Sequence, residues 1–179
     1  MKKVFLKTVL IILPIVFLII GLNFNRTWFS GDPEYAYLLN GVNIATLHSV
    51  GHTDNPGTPV QMYSAVVLRI AHFLSSSEAI DLQTDVLQNP DQYVELERKV
   101  SVILNSLMIL FLGFGSFLLL HNIWLSLILQ VTPFVSSNLL EHAFTKVSPE
   151  PLLIFTVMLL VLLLLKYYKE VDKNKKIYP

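Results

Sequence analysis

Val100–Leu120 reads VSVILNSLMILFLGFGSFLLL, an apolar run without a charged residue. A helix needs about 20 such residues to cross the hydrocarbon core of a bilayer, which is roughly 30 Å thick. The run is long enough, and it therefore predicts a transmembrane helix. The composition agrees, because 53% of the 179 residues are hydrophobic and the mean hydropathy is +0.57.

Three further apolar runs lie before and after this one: Val4–Leu22, Ile123–Leu140 and Pro151–Leu165. With Val100–Leu120 they predict an all-α integral membrane protein with four transmembrane helices. The last run is short for a span, but Lys166 can extend its apolar stem along the helix and keep its charge at the surface. The fold class is therefore all-α, with a helical outer-face segment between spans 1 and 2.

The run Ile123–Leu140 differs from the other three because it holds Pro133 and several polar side chains. These are Gln130, Thr132, Ser136, Ser137 and Asn138. A proline removes a backbone hydrogen bond, and polar groups in lipid need protein or water as partners. We expect this span to face other helices or a cavity, and further membrane helices or subunits as its neighbours.

Lysines are concentrated at the two ends of the chain. They are Lys2, Lys3 and Lys7 before the first span and Lys166, Lys169, Lys173, Lys175 and Lys176 after the last. By the positive-inside rule both termini lie in the cytoplasm, as an even number of spans requires. We expect a bacterial or archaeal plasma membrane as the location.

This topology divides the chain into four parts. They are a cytoplasmic tail with the first span (1–22), an outer-face segment (23–99), three further spans that include a short outer loop at 141–150 (100–168) and a basic cytoplasmic tail (169–179). The net charge is zero and no cysteine is present, which excludes disulfides and thiolate metal sites. No motif indicates nucleic-acid binding, a nucleotide phosphate loop or a Ser-His-Asp hydrolase.

The outer-face segment is predicted to consist of helices joined by turns. Asp32-Pro33 is typical of a helix start, with Asp32 as the N-cap, Pro33 at the first helical position and Glu34 in the first turn. This helix continues through Leu47 and is amphipathic enough to lie along a membrane surface. A loop from Gly51 to Pro59 follows, and then helices over 58–74 and 78–89.

Two acids at the start of this segment are candidate catalytic residues. Asp32 follows the first span by about ten residues, so it lies near the membrane surface. A carboxylate there can act as a general base or orient a nucleophile or metal. The alternative is structural, because Asp32 and Glu34 both suit the amino end of a helix.

The loop that follows carries His48, His52 and Asp54. Imidazole and carboxylate groups can bind a divalent metal, but these spacings match no strong ligand motif. Binding a substrate phosphate or hydroxyl is an equal alternative for His52 and Asp54.

A second polar cluster, 141–151, reads EHAFTKVSPEP and lies between the third and fourth runs. Glu150 faces the same outer side as Asp32, although a position at the start of a helix also favours an acid for structural reasons. Lys146 can bind a lipid phosphate, as can Arg26, Arg69 and Arg98, and ordinary contact with phospholipid is the alternative for each.

The order of these features resembles the start of a GT-C glycosyltransferase. The features are a short tail, one span, an acidic motif directly outside it and helices at the membrane surface. The nearest likeness is to protein O-mannosyltransferases and lipid A aminoarabinose transferases. The stretch Ser148-Pro149-Glu150-Pro151 is similar to the Pro-Glu motif that opens a later span in the former. His52 to Pro59 lies where related enzymes have a loop rich in His and Pro.

The resemblance implies transfer of a sugar from a polyprenyl-phosphate carrier to an acceptor on the outer face. It maps the essential acid of the first outer loop onto Asp32, with Glu34 beside it. His52, Asp54, Lys146 and Glu150 would bind substrate, and a divalent metal is used by some members. The chain corresponds to the amino-terminal portion of such an enzyme. The alternative is a non-enzymatic membrane subunit or assembly factor that docks a partner through its outer segment.

Overall fold

The computed structural model describes residues 2–24, 33–51, 58–75 and 81–177, which are helical and contain no strand. The predicted all-α class is therefore confirmed. The helices are α1 (Lys2–Asn23), α2 (Glu34–Ala45), α3 (Thr58–Ser75), α4 (Leu82–Gln88), α5 (Pro90–Leu120), α6 (Ile123–Val131), α7 (Ser137–Thr145) and α8 (Pro149–Ile177). A 3-10 turn, Thr132–Phe134, lies between α6 and α7.

Within the described part of the chain, α5 is the one helix long and apolar enough to cross a membrane. Its 18-residue apolar window is 39% buried within the fold. The apolar portions Thr8–Asn23 and Ile123–Phe134 are shorter than a span. The structure thus supports one candidate span, and the other three stay predictions.

The predicted third span is not a continuous helix. The α-helical bonding of α6 ends at Val131, a 3-10 turn follows, and α7 begins at Ser137. Pro133 lies in that turn and lacks the N–H that a continuous helix would need. A tight turn joins α5 to α6, because His121 ends α5 in a left-handed conformation (φ 51°) and the Asn122 side chain caps α6.

Helices α1 and α5–α8 form a bundle whose core includes Phe17, Val102, Ile109, Phe144 and Leu162. Arg98 closes one end of this bundle and is only 1% exposed. Its guanidinium donates hydrogen bonds of 2.8 Å to the carbonyls of Gly21, at the end of α1, and Phe144, in α7. It also donates to the Glu95 carboxylate at 2.6 and 2.8 Å.

Two residues inside the bundle are explained by a proline in α1. Pro14 has no N–H to donate to the carbonyl of Leu10, one turn earlier. The buried Gln130 supplies that bond, since its Nε2 donates to the Leu10 carbonyl at 2.9 Å and to that of Ile109 at 3.1 Å. Gly113 provides the space, because a Cβ there would collide with the Gln130 side chain.

Helices α2–α4 and the first turns of α5 form a second unit, which we call the outer unit. Its core includes Tyr37, Leu38, Val60, Leu68 and Val94. Seven of the twelve residues of α2 are buried, so this helix packs inside the unit instead of lying along a membrane surface as predicted. The helix also starts one residue later than predicted, because Pro33 occupies the N-cap position and Glu34 is the first helical residue.

A fully buried acid joins the outer unit to α5. The Glu97 side chain accepts a hydrogen bond from the Ser64 hydroxyl, and its backbone carbonyl accepts one from the Tyr63 hydroxyl at 2.5 Å. Glu97 precedes the apolar part of α5, which begins at Val100. Burial raises the pKa of its carboxyl to about 7, although the bond from Ser64 opposes this shift.

Candidate functional site

A cavity of about 480 Å³ lies where the outer unit meets the bundle. One wall comes from the starts of α2 and α3, and the other from the segment that links α7 to α8 and the first two turns of α8. The lining residues are Pro33, Tyr37, Pro59, Val60, His142, Lys146, Val147, Ser148, Pro149, Glu150, Leu153 and Thr156. Two regions that are distant in the sequence, 33–60 and 142–156, therefore share one cavity.

The link between α7 and α8 is extended, which turns its polar side chains toward this cavity. Lys146 ends α7 with φ −129° and ψ 153°, and Pro149 begins α8. An extended segment between two helices exposes backbone groups that need partners. The Val147 N–H finds one in the outer unit, as a 2.8 Å hydrogen bond to the Glu34 carboxylate shows.

Glu34, predicted to be catalytic, is thus a buried residue behind the cavity wall. Its carboxylate is 1% exposed and connects the first turn of α2 to the link. The neighbouring Pro33 and Tyr37 reach the cavity lining. The described contacts give Glu34 a positioning role for Val147, and its predicted catalytic role remains a prediction.

Glu150 and Lys146, both predicted to bind substrate, do line the cavity. The His142 Nδ1 atom lies 3.5 Å from Glu150 Oε2, an ion pair when the imidazole is protonated. Burial raises the pKa of Glu150, but the nearby Ser148 hydroxyl, the Glu150 backbone N–H and the His142 imidazole outweigh that effect and leave the pKa below its usual value. The side chains of Glu150, His142 and Lys146 therefore line the same cavity.

The other cations predicted to contact lipid phosphate have different surroundings. Arg98 is buried and bound to backbone carbonyls, so the expectation of lipid contact is wrong for this residue. Arg69 donates to the Ala45 carbonyl with both Nε and Nη2, which ties α3 to the end of α2. Arg26 lies outside the described residues.

Asp32, His52 and Asp54 also lie outside the described residues, so their predicted roles are not tested. Their neighbours in the chain are informative. In the sequence, Asp32 directly precedes Pro33, and the stretch with His52 and Asp54 precedes Thr58-Pro59; Pro33 and Pro59 both line the cavity. Among the described side chains, no three His, Cys, Asp or Glu residues are grouped to hold a metal ion.

Two cavity residues, His142 and Ser148, belong to the cluster 141–151 but were not predicted to bind substrate. Their signal was present, since His142 and Glu150 flank a link too short to separate them widely. Tyr37 was missed as well, because nothing in its sequence context distinguishes a cavity tyrosine from a core one.

Comparisons of this chain with protein-family models, curated proteins and solved structures give no match.

Proposed function

We propose that this chain forms the amino-terminal portion of a membrane glycosyltransferase of GT-C type. It would take a sugar from a polyprenyl-phosphate carrier and transfer it to an acceptor on the outer face. The observation that carries this proposal is the cavity between the outer unit and the bundle. Its lining includes Lys146 and Glu150, together with Pro33, which follows Asp32 in the sequence, and Pro59, which follows the segment 52–57 closely.

The cavity suits a lipid with a charged head and an apolar tail. Lys146 supplies a cation for the phosphate, and charge-assisted hydrogen bonds are the strong ones in such sites. The apolar wall continues along α8, where Leu153, Val157, Leu160 and Leu164 are all exposed at spacings of three and four residues. Residues so spaced lie on one helix face, which offers the isoprenoid chain a path from the cavity into the bilayer.

The proposed reaction is a displacement at the anomeric carbon. The acceptor nucleophile attacks that carbon, the bond to the carrier phosphate oxygen breaks, and the carrier leaves as the polyprenyl phosphate. Asp32 takes the proton of the nucleophile as the general base. His52 and Asp54 shape the pocket, and Glu150 forms its far wall.

A non-enzymatic docking subunit is a second candidate, and the exposure of α8 favours it. From Leu159 to Glu170, Leu162 is the one buried residue. Such a helix faces either lipid or the helices of a partner. A stable complex with another membrane protein, together with no effect of Asp32→Asn, would support this candidate and overturn the first.

The test is made in membranes with a polyprenyl-phosphate sugar as ligand, as a binding experiment on this chain and a transfer experiment on the complete enzyme. Lys146→Gln removes a charged hydrogen bond of about 1.5–3 kcal/mol, which corresponds to binding weaker by roughly 10- to 100-fold. Glu141→Gln, an exposed acid outside the cavity lining, is the matched control and is expected to leave binding unchanged. Asp32→Asn is expected to abolish transfer and retain binding. Equal binding by the Lys146 variant and the parent would contradict the proposal.

A further inference from the structure

The ends of α2 and α3 expose a group of large apolar side chains that we call the end patch. Its members Leu47, Ile70, Phe73 and Leu74 are 88, 55, 84 and 72% exposed. Scattered apolar residues are normal at protein surfaces, but a contiguous group marks a contact site.

The end patch is contiguous because α2 and α3 run side by side in the same direction. Arg69 donates to the Ala45 carbonyl, and an open depression of about 560 Å³ is lined by Thr46, Ile70, Phe73 and Leu74 together with Leu82 of α4. Leu47 follows Thr46 directly. The two helix ends and the start of α4 thus form one surface.

Leu47 occupies a backbone conformation that its residue type disfavours. Its φ is 63°, in the left-handed region where glycine or asparagine is usual after a helix. A residue held there while its side chain is nearly fully exposed gains little from packing. A strained and exposed apolar residue indicates a contact site at this end of the unit.

The direction of the helices places the end patch on the side of the unit nearer the apolar part of α5. Tyr35 of α2 donates to Asp91, and the middle of α2 reaches Glu97 through Ser64, which lies against Gly41. Tyr35 and Gly41 are about 9 Å apart along α2, and Asp91 and Glu97 are about 9 Å apart along α5, at 1.5 Å per residue. Helix α2 therefore runs parallel to α5, and so does α3, which runs parallel to α2.

The end patch therefore lies beyond Glu97 toward Val100, where the apolar run begins. Ile70 to Leu74 follow Ser64 by six to ten residues, which is about 9–15 Å along α3. Glu97 is about 4.5 Å from Val100 along α5. An apolar surface at this level adjoins the level at which the candidate span enters a bilayer. Arg69 at its edge is a cation of the kind that accompanies helices at anionic lipid surfaces.

We propose that the end patch inserts into the headgroup and upper acyl region of the bilayer that α5 crosses. The occupant is phospholipid, and the insertion fixes the height of the outer unit over the membrane. The inference rests on α5 as a span and is independent of the proposed enzymatic function. If the chain proved to have no part in sugar transfer, the end patch would still insert into the bilayer.

The test uses the absence of cysteine in the natural sequence. Phe73→Cys carries an environment-sensitive fluorophore in the full chain, reconstituted into phosphatidylcholine and phosphatidylglycerol vesicles. Gln92→Cys, exposed near the start of α5 at the other end of the unit, is the control. An interfacial helix buries its apolar face about 5–10 Å deep, so we expect iodide quenching roughly threefold weaker at position 73 and strong quenching by headgroup-level nitroxide lipids.

A second variant checks that the protection comes from insertion. Leu74→Asp is expected to restore iodide quenching of the label at position 73, because a charge opposes burial in lipid. Quenching of the two labels to the same extent by iodide would overturn the proposal. So would protection at position 73 that occurs in native membranes but not in pure lipid vesicles, since a protein partner would then cover the end patch.

Discussion

The bundle and the outer unit satisfy their buried polar groups in different ways. In the bundle, polar side chains bind backbone carbonyls: Arg98 those of Gly21 and Phe144, Gln130 that of Leu10, and Ser106 that of Pro14 at 2.8 Å. In the outer unit, bonds between two side chains are added to bonds of this kind: Tyr35 binds Asp91, Ser64 binds Glu97 and Tyr93 binds Asp85, while Tyr63 and Arg69 bind backbone carbonyls.

The difference follows from what each region must do. In the bundle, side-chain donors reach the carbonyls that Pro14 and the helix ends leave open, because a buried carbonyl without a partner costs free energy. In the outer unit, the polar pairs fix which helix faces which. The candidate site lies between the outer unit and the bundle. There the Glu34 side chain accepts a hydrogen bond from the Val147 backbone N–H.

The largest effect that tests this comparison is expected at Arg98. Arg98→Leu leaves the carbonyls of Gly21 and Phe144 without their donor, and breaking such a buried arrangement costs about 3–5 kcal/mol. Chemical unfolding in detergent micelles, followed by circular dichroism, measures this loss. The neighbouring exposed Lys99→Gln is the control and is expected to change the free energy of unfolding by less than about 1 kcal/mol. A similar small change for both variants would show that these carbonyls need no donor.

The next effect is a pH dependence that belongs to Glu97. Its pKa in the fold is about 7, above the ordinary 4.5, so the folded protein binds the proton more tightly than the unfolded chain. The free energy of unfolding therefore falls as the pH rises from 4.5 to 7, by on the order of 3 kcal/mol.

Glu97→Gln removes this titration. The difference in stability between parent and variant is expected to fall across that pH window and to stay constant above it. Glu141→Gln, which changes an exposed acid, is expected to keep the pH dependence of the parent. A parent curve parallel to that of the Glu97 variant would show that the carboxyl is not buried against Ser64.

A smaller effect is expected where Gln130 supplies the bond that Pro14 cannot make. Gln130→Leu leaves the Leu10 carbonyl unsatisfied and costs about 1–3 kcal/mol. Pro14→Ala restores an N–H at position 14, so the same change in the Pro14→Ala background should cost about 1 kcal/mol less. Additive losses in the double-mutant cycle would contradict the assigned partnership.

The local structure of the outer unit follows closely from the sequence, and its packing does not. Asp32-Pro33 and Thr58-Pro59 mark the starts of α2 and α3 to within a residue, because proline and capping chemistry act over a few residues. The sequence could not show that Arg98 and Glu97 are buried, since charged side chains are usually exposed and only distant partners decide otherwise.

In the candidate site, too, the local features could be predicted from the sequence and the packing could not. Glu150 and Lys146 were predicted to face a substrate, and both line the cavity. The burial of Glu34 could not be predicted, because its partner is a backbone N–H 113 residues away. The third predicted span failed as a continuous helix at Pro133, although the same proline was the signal for an irregularity there.

The most direct test of the central claim is photo-crosslinking of the full chain in membranes with a polyprenyl phosphate that carries a photoreactive group beside its phosphate. The account predicts crosslinked peptides from 146–153 and from 33–37, the two walls of the cavity, and their loss in competition with unlabelled carrier. Crosslinks confined to the exposed faces of α1 and α5, unchanged by the competitor, would contradict it and would leave the cavity without a role in binding the carrier.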